Sequence, residues 1–86
     1  MSRQINEITS NNLRRYRKLR CLRQRDVANT LGLKNIKEIN RWEHGKTLPS
    51  LVNVLKLSFI LKCPVEILFL NHFQSIKDEL SYNKRE

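Results

Sequence analysis

From Leu13 onward, apolar residues recur in short blocks at intervals of three and four, the spacing of helices that bury one face, with glycine, proline or polar residues between the blocks. The first block predicts a helix from about Asn11 to Arg20, capped by Ser10 or Thr9. Leu13, Tyr16 and Leu19 form its buried stripe among Arg14, Arg15, Arg17, Lys18 and Arg20, most of which face solvent or phosphate. The second predicts a helix from about Gln24 to Leu31, with Val27, Ala28 and Leu31 inward, Leu22 packing from the preceding loop, and Gly32 ending it. A third begins near Asn35 or Ile36 and ends at Gly45. Ile36, Ile39 and Glu43 share one side of it, and Lys37, Asn40, Arg41 and His44, at i, i+3, i+4 and i+7, share the other. After Lys46–Pro49, Ser50 caps a fourth helix reaching about Lys62 and burying Leu51, Val54, Leu55, Ser58 and Leu61. Pro64 opens a fifth through about Leu70, with Val65, Leu68 and Phe69 inward, and the spacing of Phe69, Phe73, Ile76 and Leu80 carries a tail helix to about Tyr82. The pattern is all-α: a flexible segment over 1–9, one five-helix domain over 10–70, and a helical tail over 71–86.

Charge sharpens this picture. The net charge is +9, and residues 1–46 hold 12 Lys and Arg against 4 Asp and Glu, a balance of +8, whereas residues 47–86 hold 5 against 4. The excess lies in the half containing the second and third helices, two short helices joined by a glycine turn, and that combination points to a helix-turn-helix on a polyanion. Cys21 with Cys63, and His44 with His72, lack metal-ligand spacing, so no metal and no cofactor are expected. The polar start MSRQINE does not read as a secretory signal, which places the chain in the cytoplasm, at the nucleoid, with reduced thiols. Neither LKLSFILK nor VEILFL is long enough to span a membrane. No nucleophile–base pair, paired carboxylates or phosphate loop suggests an enzyme.

Residues from about Leu13 to Phe69 resemble the phage repressor/Cro-type helix-turn-helix domain, also called the Xre family. The landmarks are Arg17 seven residues before Gln24, then Val27, Ala28, Leu31 and Gly32, then RWEHGKTLPS over Arg41–Ser50, and LKLSFILKCPVEILF over Leu55–Phe69. The resemblance implies a five-helix repressor-like fold that places its third helix in the major groove. It implies that Gln24 contacts a phosphate and braces that helix, and that Arg17 and Glu43 form an orienting ion pair beneath it. Two features depart from the family pattern. Six residues rather than five, Leu33–Glu38, separate Gly32 from Ile39, and Arg23 stands where a capping Ser or Thr is usual.

The chemistry of the residue types assigns the contacts. Arg41 and Lys37 suit guanine O6 and N7, and Asn40 suits adenine N6 and N7, with a phosphate contact or a solvated face as the alternatives for each of the three. Lys34 and Asn35 reach a base edge or a phosphate, and Ile36 is a core residue or a thymine-methyl contact. Arg23, Gln24 and Arg25, with His44, Lys46 and Thr47 after the third helix, anchor phosphates. Trp42 reads as a packing residue. One such domain reads few bases, so a homodimer is expected on double-stranded DNA, with the fifth helix and Phe69, Phe73, Ile76 and Leu80 as its interface; the alternative is that these residues fold back as a cap within the same chain. The leading function is a transcriptional repressor. The alternatives are an antitoxin whose tail binds a toxin, and a protein-interaction module that has lost DNA binding.

Overall fold

The computed structural model describes residues 10–83, and within them every regular element is a helix: α1 (Leu13–Leu19), α2 (Gln24–Leu31), α3 (Lys37–Glu43), α4 (Leu51–Leu61), α5 (Val65–Leu68) and α6 (Leu70–Asn83). Thr9 and the expected flexible segment lie outside the described residues. Leu13, Val27, Ala28, Ile39, Trp42, Leu57, Leu61 and Leu68 form the centre of one core to which α1 to α5 all contribute.

Local chemistry sets the element boundaries. The start of α1 is tied by two asparagines. Asn11 accepts from the Leu13 N–H at 3.0 Å and donates to the Trp42 carbonyl at 2.8 Å, while Asn12 donates through its side chain to the Ile67 carbonyl and through its backbone to the Leu68 carbonyl, both at 2.8 Å. This corrects the expected Ser10 cap: the Ser10 hydroxyl instead accepts from Asn71 of α6. Helix α2 ends at Gly32 with φ +76°, the left-handed conformation that glycine adopts without steric cost. Ser50 caps α4, its hydroxyl accepting from the Asn53 N–H at 3.2 Å. Where the sequence suggested a helix through Leu70, α5 stops after one turn at Phe69, whose φ of −118° and ψ of 50° break the ladder before α6 begins.

Burial departs from the sequence reading in three places. In α1, Leu19, expected inward, is exposed. In α4, Leu51 and Leu55 point outward and Leu57 takes the core position instead. In the tail, Phe69 is buried in its own domain's core, so it is unavailable to a subunit interface, whereas Phe73, Ile76 and Leu80 remain about half exposed. Helix α6 packs chiefly on α5, and its 14 residues span about 21 Å.

Candidate nucleic-acid interface

The extra residue between Gly32 and Ile39 is absorbed in the turn. Lys34, Asn35 and Ile36 form a bend, Asn35 accepts from the Lys37 N–H at 3.0 Å, and α3 starts at Lys37, later than the Asn35 or Ile36 suggested by periodicity. That bond commits the Asn35 oxygen to the backbone, the usual role of an asparagine in a turn. Ile36 sits at the helix cap, 42% exposed, outside the core in which Ile39 lies.

One charged cluster holds α3 from beneath. Arg17 donates through Nε and Nη2 to the two carboxylate oxygens of Glu43, at 2.5 and 3.1 Å, and through Nη1 to the Leu22 carbonyl at 3.0 Å. Gln24 donates to Glu43 Oε1 at 3.0 Å and lies 3.5 Å from Asn40 Oδ1. Three helices are thereby joined through a single carboxylate, and two geometrically matched bonds on a planar guanidinium set its orientation. With the inner side of α3 fixed by Ile39, Trp42 and Glu43, the outer side carries Lys37, Asn40, Arg41 and His44, all exposed. His44 Nδ1 lies 2.8 Å from the Asn40 carbonyl, which holds the ring against the helix end.

Beside this face, α1, the start of α2 and α3 enclose an open cleft of about 840 Å³, whose walls include Arg14, Lys18, Arg23, Gln24, Arg25, Ile36, Asn40 and His44. Arg14 and Lys18, one helical turn apart on α1, were not singled out among the expected DNA contacts. Their i, i+4 spacing was the available signal. Arg20, in contrast, leaves this face altogether: it donates to the carbonyls of Leu61 at 2.8 Å and Lys62 at 3.0 Å, closing the C-terminal end of α4 with a cation suited to the helix dipole.

At the start of α2, Asp26 performs the work of the missing Ser or Thr from the opposite direction. Its carboxylate accepts from the Arg23 backbone N–H at 2.7 Å and pairs with the Arg23 guanidinium at 3.2 Å. The side-chain hydrogen bond from Arg23 lowers the Asp26 pKa and the same contact raises that of Arg23. Arg23 therefore stands at the cleft as a partly neutralised cation, while Arg25, Lys34 and Lys46 are exposed with no ion-pair partner among the described residues. Thr47 departs from its expected role, because its hydroxyl is buried and lacks a hydrogen-bond partner among the described residues, so it is not presented to a phosphate.

Cys21 is exposed, Cys63 is buried, and both are free, the thiol of Cys63 pushed up in pKa by burial. Among the described residues no group of His, Cys, Asp and Glu is arranged to hold a metal, and no helix is long and apolar enough to cross a membrane.

No curated protein matches the sequence. The family model for the helix-turn-helix does match, over residues 13–68, a span that runs from the first residue of α1 to the last of α5 and includes the cluster beneath α3. The chain belongs to the Cro/C1-type, Xre-like helix-turn-helix family, whose members are DNA-binding regulators.

Proposed function

We propose that this protein is a sequence-specific reader of double-stranded DNA that acts as a homodimeric transcriptional repressor. Helix α3 enters the major groove, where Arg41 and Lys37 address guanine and Asn40 addresses adenine. Arg14, Lys18, Arg25 and Lys46 hold the flanking phosphates, with Gln24, His44, Lys34 and the turn around Asn35 and Ile36 at the edges of the contact. The observation that carries this reading is the exposed row Lys37, Asn40, Arg41 and His44 on a helix whose opposite side is locked by Arg17, Gln24 and Glu43. A row of donors on a rigid support is what base recognition requires, because each base edge must be met within a hydrogen bond's tolerance.

Selection from random-sequence duplexes at about 150 mM salt tests it, since sequence-independent binding is weakened there. Wild-type protein enriches a palindrome with half-sites about one helical turn apart, and Arg41→Ala relaxes one position in each half-site, at a cost of about 1–3 kcal/mol. Salt-sensitive binding without enrichment would overturn sequence reading. A second reading, an antitoxin, is favoured by one observation, the half-exposed Phe73, Ile76 and Leu80 stripe on α6, which suits a protein partner. Co-expression with the product of the adjoining gene, followed by purification, separates the two.

A further inference from the structure

The outward face of α4 is apolar over its whole length. Leu51, Leu55 and Phe59 recur every four residues with Val52 beside them and Leu48 in the loop before, and all five are at least half exposed, Phe59 at 88% and Leu51 at 72%. The inward face, with Leu57 and Leu61, is apolar as well, so α4 is hydrophobic around most of its circumference, the character of a helix covered on both sides. Only Lys56 stands at the edge of the outer face, which gives DNA no purchase there and gives a like-charged molecule nothing to oppose.

We infer that this face is the two-fold interface with a second copy of the chain, an inference that rests on reading the protein as a paired DNA reader and that assigns the pairing to α4 rather than to the tail. The stripe is self-complementary, as a two-fold interface requires. When two α4 helices pack antiparallel, Leu55 of one copy meets Leu55 of the other, and the large Phe59 at one end lies over the smaller Leu51 and Val52 at the opposite end of its mate. Removing the five side chains from water in both copies buries roughly 1,000 Å² in total, the area at which an interface becomes specific. Helix α4 also follows the recognition helix after only the segment 44–50. Pairing there fixes the separation of two α3 helices rigidly, whereas pairing through α6 would act through a helix that packs chiefly on the single turn of α5.

Sedimentation equilibrium without DNA tests the assignment, using two charge-neutral double variants of exposed residues, Leu55→Ser/Phe59→Ser on α4 and Phe73→Ser/Ile76→Ser on α6, each checked for native helix content by circular dichroism. The wild type sediments as a dimer at tens of micromolar, the α4 variant has a dissociation constant raised at least about 30-fold, and the α6 variant matches wild type. A wild type that stays monomeric, an α4 variant that stays dimeric, or a loss confined to the α6 variant overturns it. Because the measurement contains no DNA, these outcomes are distinct from a failure of wild-type protein to enrich any sequence.

Discussion

Among individual residues, His72 is the least well satisfied. It lies in the first turns of α6, 6% exposed, edge-on to the Phe69 ring at a centroid distance of 5.6 Å, and neither ring nitrogen has a hydrogen-bond partner among the described residues. Burial lowers its pKa below the ordinary 6.5, because the imidazolium would lose its hydration and gain no bond in return. The sign of the consequence follows from which state binds the proton first. Well above pH 6.5 the ring is neutral in both states and its contribution is constant. Below that value the unfolded chain protonates while the folded chain resists, so stability falls until the depressed folded pKa is also passed. Urea denaturation from pH 7.5 to 5 should show this loss. His72→Phe should keep the stability at pH 7.5 within about 1 kcal/mol, since an apolar ring replaces a buried polar one, and should flatten the decline. Equal pH dependence in the two proteins would contradict the assignment.

At the scale of elements, Glu43 is the joint on which α1, α2 and α3 converge, and its side chain is only 4% exposed against 10% for that of Arg17. Glu43→Ala leaves the guanidinium buried without its counter-charge, which should lower the unfolding free energy by about 3–5 kcal/mol in a denaturant titration. Arg17→Ala should act alike, and Arg17→Met/Glu43→Leu, which removes both charges and refills the space, should lose much less. Additive losses in the double variant would mean that the two residues do not act as a pair. The same elements show how far sequence can be read. Helix α2 was legible from Gln24 to Leu31 because glycine in the left-handed conformation ends it at a definite residue. The outer row of α3 was legible because a helix's 3.6-residue period places Lys37, Asn40, Arg41 and His44 together. The start of α3 was not, because an added turn residue leaves the apolar spacing unchanged and only moves where the ladder begins. Periodicity also fails on α4, where apolar residues occupy both faces: Leu51 and Leu55 fit a core stripe as well as Leu57 and Leu61 do, and only packing against the other helices decides between them. The capping role of Arg20 was illegible for a related reason, since a basic residue among others reads only as a solvent charge unless the carbonyls it closes, about forty residues on, are known.

For the whole molecule, the question is whether the charge asymmetry and the α4 pairing form one device. The net charge of +9 resides almost entirely in residues 1–46, which contain α1, α2 and α3, so two copies paired at α4 as proposed would bring two such faces to one duplex. Each phosphate neutralised contributes about −0.9 to the slope of log affinity against log salt. Arg14, Lys18 and Arg25 line the cleft and Lys46 follows α3 two residues after His44, four exposed cations in all, while Arg23, already engaged by Asp26, adds less. A dimer holding eight phosphates should show a slope of roughly −7, and a single copy roughly −3.5. Fluorescence anisotropy with a two-half-site duplex between about 50 and 200 mM salt, over which such slopes are large, measures this directly. The Leu55→Ser/Phe59→Ser variant, unchanged in charge, should show about half the wild-type slope along with its weaker binding. Halving of the slope would tie the loss of affinity to the loss of the second charged face. An unchanged slope with weaker binding would mean that both copies still sit on the duplex, and that α4 adjusts their spacing without joining them.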